Sequence, residues 1–334
     1  MSRLIISTLI VASQLACATM DPPKGDDAWR QVQGIPVLWR DPGPIASRDL
    51  FWGAGSADRA PKPPFTFISE DVSGTNPKLK VRDANEVEWS VKFAGTQGYK
   101  NEVHAEVAAS RLVWALGYLV EENYFVPEGK IDKVGTLKRA ASVVGADGSF
   151  RLARFERKDP SWKVTEHTWS FKANPFVGTK ELSGIMILTA LLNHWDLKHD
   201  NTAIVQVQRE GGVEALFMYS DLGSTFGKME GLPRIISGRD RWNLDAYRAE
   251  PLLDGVKDGK VILNHDGTAS IDPVPIEHAR WFANLAAQLT PDQVRRAFEA
   301  AGASAAERDG FSARFLEKIR ELQQAVGSAL TPLI

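Results

Sequence analysis

Residues 193–205 read NHWDLKHDNTAIV and crowd His194, Asp196, Asp200 and Asn201 into eight positions. The segment on their C-terminal side constrains the fold most. The runs TAIVQV (202–207) and ALFMYS (215–220) flank a turn-rich QREGG, the pattern of two strands joined as a hairpin. A hairpin returns the chain to where it started, so Asn201 before its first strand and Asp221 after its second belong at one mouth. Upstream, TKELSGIMILTALLNH carries Leu182, Ile185, Thr189 and Leu192 at helical spacing and delivers the chain to the cluster.

The N-terminal half is rich in short strands. FTFI (65–68), LKVR (79–82) and EWSVKF (88–93) fit that description, and in the last Trp89, Val91 and Phe93 alternate with polar residues, so Lys92 points the opposite way. SEDVSGTNPK, between the first two, is a turn-rich loop containing Gly74. A helix is expected from about Asn101 to Leu116, stopped by Gly117, with Glu102 and Glu106 four apart on one face. Strands are expected near 137–144 and 149–156 around the turn GADG. After Asp159-Pro160 the pattern is mainly helical. Thr290, Pro291 and Gly302 mark the cap, first position and stop of one helix, and SAAE (304–307) reads as a capping box for the next.

With 334 residues, 43% hydrophobic, 25% charged and a net charge of -2, the chain has the composition of a globular protein with room for a large core. That charge gives no electrostatic reason to expect nucleic acid as a partner. The first residues differ: Arg3 precedes the apolar run Leu4 to Ala12, then SQLACATM, which reads as an export signal at 1–18 too short to span a bilayer. Ala16-Cys17-Ala18 suits cleavage after Ala18, whereas Leu15-Ala16-Cys17 suits a lipid anchor at Cys17, and a chain kept uncleaved in the cytoplasm is the third option. Cys17 is the only cysteine, so no internal disulfide can form. Residues 19–64 are rich in Pro, Gly and Asp and read as an extension packed onto the domain through Trp29, Trp39 and Trp52.

HWDLKHDN, succeeded by a hairpin and DLG, with a lysine strand and a glutamate helix upstream, resembles the protein-kinase-like superfamily in its atypical HipA-like, phosphoinositide-kinase-like and secretory-pathway branches. The resemblance implies an α+β, two-lobed protein-kinase-like fold, with a strand-rich N-lobe at 65–158 and a helical C-lobe at 159–334. It implies a catalytic loop at 194–201 and a D-x-G motif at 221–223. By the same resemblance Asp196 is the base that orients the acceptor hydroxyl, Lys198 neutralises the transferring phosphate, and Asn201 and Asp221 hold Mg²⁺ or Mn²⁺. Lys92 binds the phosphates of ATP, Glu106 rather than Glu102 pairs with Lys92, and Gly74 marks the loop over the phosphates. The chain departs from the family at Trp195, where arginine is usual, at Leu222 in place of phenylalanine, and in lacking both G-x-G-x-x-G and A-P-E.

The implied function is an exported kinase-like phosphotransferase that uses Mg·ATP on a hydroxyl of a protein, lipid or sugar. Two other readings stay open: an inactive pseudokinase serving as an envelope binding module, and nucleotidyl transfer on the same residues. His194 reads as a scaffold residue, and the spacing of His104, His194 and His199 suits no zinc site.

Overall fold

A computed structural model describes residues 28–73, 76–95, 101–197, 201–228, 240–265, 267 and 270–328. Gly74, Lys198, Cys17 and the signal segment 1–18 lie outside the described residues.

The fold is mixed α and β. Strand β1 (Ile35–Val37) comes from the N-terminal extension, and β2 (Phe65–Asp71), β3 (Lys78–Arg82) and β4 (Glu88–Phe93) form an antiparallel run after it. Helix α1 (Glu102–Ala115) leads to β5 (Asn123–Asp132) and β6 (Ser149–Arg157). Strands β2, β3, β4, β6 and β5 close into a barrel, with β2 meeting β5 in parallel at Phe65↔Ile131 and Thr66↔Asp132. Alternation along the strands turns Trp89, Val91, Phe155, Phe65 and Leu79 inward, and they form a core of their own.

Past β7 (Trp162–Val164), helix α2 (Lys180–Leu191) is capped by the Thr179 side chain, which accepts from Leu182 N. It feeds the hairpin of β8 (Thr202–Arg209) and β9 (Gly212–Tyr219), whose register runs from Thr202↔Tyr219 to Arg209↔Gly212. These form a four-stranded sheet in the order β1-β9-β8-β7. Then come α3 (Leu244–Ala249), β10 (Leu253–Lys257), β11 (Lys260–Leu263), β12 (Val274–Pro275), α4 (Ile276–Ala286), α5 (Pro291–Ala300) and α6 (Ala305–Ser328). The larger core joins α1, α2 and α4 to α6 with the inner face of the hairpin. Thr290 and Gln293 form a reciprocal capping box at the start of α5, and Ser304 with Glu307 does the same for α6.

Two expectations are corrected. Residues 137–144 are not a strand: they hold a 3-10 turn at Ala140–Ser142 and a single bridge from Val144 to Phe150. The long partner of β6 is β5, whose pattern is interrupted by Pro127. Proline is tolerated there because β2 pairs with β5 only at Ile131 and Asp132, which leaves the edge beside Pro127 without a ladder to disrupt. The region after Asp221 is also less purely helical than expected, since β10, β11 and β12 form a small antiparallel sheet.

The extension packs closely. Trp39 Nε1 donates to Leu116 O at 2.7 Å and Arg40 N to Gly117 O at 2.9 Å. Gly117 has φ +89, and a Cβ there would overlap the carbonyl of Arg40, so the residue that stops α1 also admits the extension.

Candidate active site

Lys92 lies on the face of β4 turned away from the barrel core, toward α1, and its side chain is only 4% exposed. Helix α1 places Glu102 and Glu106 one turn apart on the facing side. Lys92 Nζ donates to Glu102 Oε1 at 2.8 Å, Glu106 Oε2 at 2.9 Å and Asp221 Oδ1 at 3.2 Å. The family resemblance singles out Glu106 as the partner of Lys92, and the structure brings both glutamates to it.

Each carboxylate has a second cation or donor. Arg241 Nη1 reaches Glu102 Oε2 at 2.6 Å, and Asn76 Nδ2 donates to the same oxygen. Arg154, the register partner of Lys92 across β4 and β6, reaches Glu106 at 3.3 Å and also pairs with Glu156. Burial alone would lower the Lys92 pKa, but Asp221, Glu106 and Glu102 outweigh it and hold it well above the usual lysine range. Burial pushes the Glu102 carboxyl up, and Lys92 with Arg241 more than offsets that, so the net shift is downward. The Glu102, Glu106 and Asp221 oxygens are close enough together to enclose a cation. Lys92 supplies that charge itself.

Asp221 sits at the mouth of this cluster with its side chain 49% exposed, and the Lys92 ammonium holds its carboxyl below the usual range. Its φ of 51 lies in the left-handed region, an uncommon conformation for a non-glycine residue and one that clusters at functional sites. Two residues on, Gly223 packs directly on α1: a Cβ there would overlap Glu102 Cγ. The glycine of the D-x-G motif is therefore fixed by the approach of Glu102.

The loop after α2 runs alongside this turn. Trp195 N donates to Ser224 O at 3.2 Å and Phe226 N to Leu192 O at 2.8 Å. Asn201 Nδ2 donates to Asp196 O at 2.7 Å, which closes the loop at the start of β8 and leaves the Asn201 carbonyl oxygen as an acceptor. His194 is fully buried and its Nδ1 meets the Tyr219 hydroxyl at 2.7 Å. Burial pushes its pKa down to about 4, so the ring is neutral at physiological pH and serves as scaffold. Trp195 forms an apolar wall here: it is buried, donates Nε1 to Asp240 O at 2.9 Å, and lies under the Arg241 guanidinium at 5.3 Å.

Lys92, Glu106, Glu102 and Asp221 therefore converge, and Asp196 and Asn201 share the adjoining loop. Four contributors were missed. Arg154 had a signal, since it occupies a barrel strand whose neighbours alternate around it. Asn76, Arg241 and Lys318 had none: Arg241 reaches Glu102 across 139 positions, and Lys318 donates to Asn193 Oδ1 at 2.6 Å from the far helix α6. Behind Asp221, the Ser220 hydroxyl donates to Glu121, whose carboxyl burial and the neighbouring Glu156 push up to about 7.

No family model matches the chain, and no curated protein does. Among solved structures it is similar to the crystal structure of a Helicobacter pylori proinflammatory kinase, CtkA. The two share 12% identity with a TM-score of 0.48, over 80% of this chain and 98% of that one.

Proposed function

We propose that this chain is a two-lobed kinase-like phosphotransferase that binds Mg·ATP between the barrel and the helical part. The reading rests on one observation: a strand lysine, helix glutamates and the D-x-G aspartate meet at Lys92 Nζ within 3.2 Å. Such a lysine needs carboxylate support to stay oriented and charged toward phosphate oxygens.

The donor set fits the cofactor. Asp221 offers a half-exposed carboxylate and Asn201 a carbonyl oxygen whose amide nitrogen is already engaged, the hard oxygen ligands that Mg²⁺ takes. When bound, Mg·ATP supplies the transferable phosphoryl group. The chain's own groups do the positioning: Lys92 binds phosphate oxygens, Glu106 and Glu102 hold Lys92, and Asp196 orients the acceptor hydroxyl and takes its proton. Lys198 neutralises charge on the transferring group, and the segment at Gly74 covers the phosphates. The acceptor is a hydroxyl of a protein, lipid or sugar, and the enzyme is exported, released after Ala18 or anchored by lipid at Cys17.

The test is thermal unfolding with ATP and Mg²⁺, in the protein and in Asp221→Ala. Nucleotide at about 100 times its dissociation constant stabilises the folded state by roughly 2.7 kcal/mol, which raises the midpoint by a few degrees for a chain this long. A metal-dependent rise that disappears in Asp221→Ala supports the reading. No rise at saturating nucleotide overturns it and leaves the inactive binding module.

A further inference from the structure

Beside α1, the extension, α1 itself, β5 and the last residue of α5 enclose a cavity of about 220 Å³. Its walls include Phe51, Trp52, Tyr124, Phe125 and Ala300, and Arg111 lines it as well. Phe51, Trp52, Phe125 and Ala300 are only half-buried, so the mouth reaches solvent.

Arg111 is the unusual member. It is 2% exposed, and its guanidinium donates Nε to Phe51 O at 3.2 Å and Nη2 to Asn123 O, both neutral carbonyls. Among the described residues no carboxylate lies within ion-pair distance of it and Nη1 has no hydrogen-bond partner. The other buried arginines do better: Arg154, Arg241 and Arg314 each contact a carboxylate. The two acids whose charge reaches Arg111 are engaged elsewhere, Glu122 with Arg59 at 2.9 Å and Asp49 with Phe51 N at 2.9 Å. The chain is nevertheless shaped around this cation. Gly53, at φ +62, passes where a Cβ would overlap Arg111 Cδ, and a Cβ on Gly55 would overlap the Tyr124 hydroxyl.

A buried guanidinium without a counter-charge is costly, and burial lowers the Arg111 pKa to about 10. A planar carboxylate is the group that matches a guanidinium with free donors. The rest of the cavity is aromatic, and an apolar cavity of roughly 150 Å³ already accepts a benzene ring. We propose that this cavity binds an organic carboxylate with an aromatic or branched aliphatic body, its acid on Arg111 and its body among Trp52, Tyr124 and Phe125. Either a free small acid or the C-terminal residue of a peptide carries that chemistry. Because α1 bears both Arg111 and Glu106, the site borders the element that supports Lys92.

The experiment is calorimetric titration of the protein with phenylacetate, its neutral isostere phenylacetamide, and a short peptide ending in phenylalanine, as free acid and as C-terminal amide. The expected result is saturable binding of an acid at least tenfold tighter than that of its amide, abolished in Ala300→Phe, which puts a ring into the cavity from a residue that makes no hydrogen bond to the guanidinium, and in Arg111→Met. Tighter binding of the peptide acid than of phenylacetate assigns the ligand to a chain terminus, and the reverse to a free acid. Equal binding of acid and amide, or binding undiminished in Ala300→Phe, overturns the proposal even if Arg111→Met fails to fold. So does the absence of saturable heat up to about 10 mM, roughly ten times a dissociation constant of about 1 mM. Nucleotide plays no part, so failure here and failure of the kinase reading are separate results.

Discussion

Lys92 Nζ and Asp221 Oδ1 stand 3.2 Å apart although 129 positions separate them in the chain. Lys92 lies at the end of a barrel strand, and Asp221 comes after the hairpin of the four-stranded sheet. Their meeting requires both parts to be folded and docked, and it places a buried cation among three carboxylates where loss of any one changes the charge balance.

Lys92→Met should therefore destabilise the protein without any ligand. Removing one member of a buried ion pair typically costs about 3–5 kcal/mol, because the remaining charge stays buried. Arg241 and Arg154 still contact Glu102 and Glu106, which puts the expected loss at the lower end. Urea unfolding of Lys92→Met, Glu106→Gln and the double variant checks this, with the double variant losing less than the sum of the singles. Strict additivity would mean that the pair is not energetically coupled.

Asp196→Asn should leave folding and the nucleotide-induced rise in melting temperature intact while slowing ADP release from Mg·ATP. General-base contributions are typically about 10²- to 10⁴-fold. Turnover at the rate of the unchanged protein would remove Asp196 from the role of base.

Gly223→Ala puts a methyl group where Glu102 Cγ lies, and Glu102 cannot swing aside easily because Asn76, Lys92 and Arg241 all hold its carboxylate. Overpacking of this sort costs about 1–3 kcal/mol. The variant should melt lower and bind nucleotide more weakly, both measurable in one thermal-shift titration. An unchanged midpoint would show that the turn yields to the methyl group.

Glu121 makes a pH prediction. Burial and the neighbouring Glu156 push its carboxyl up to about 7, well above its ordinary value of 4.5. The folded state thus keeps a proton that the unfolded chain has released, and stability falls as pH rises from the ordinary carboxyl range through 7. Glu121→Gln should remove that decline and gain most over the unchanged protein above pH 7. His194, pushed down to about 4, acts in the opposite direction by losing stability as pH falls below the ordinary histidine value, so the comparison must be variant against unchanged protein at each pH. Parallel urea midpoints for the two proteins at pH 5 and pH 8 would contradict the assignment.

The order of strands, α1, α2 and the β8–β9 hairpin was legible because each has a strong period or a cap, and that order was enough to predict that Asn201 and Asp221 flank one mouth. Strand β5 was not legible because Pro127 and Gly129 break its pattern, and what makes it a strand is its pairing with β6 rather than its own composition. Within the site, Lys92, Glu106 and Asp221 carried motif signals. Arg241 and Asn76 act only through where the fold brings them, and no local spacing announces a residue that meets Glu102 from 139 positions away. Both glutamates facing Lys92 agree with their i, i+4 spacing, which the preference for Glu106 alone understated.

The four-stranded sheet has β1 and β7 as its two edges, and each edge strand continues into the barrel: residues 38–64 lead from β1 to β2, and residues 158–161 join β6 to β7. The chain thus passes between the sheet and the barrel twice, once at each edge of the sheet, so a cut between β1 and β2 would leave the two still covalently joined through residues 158–161.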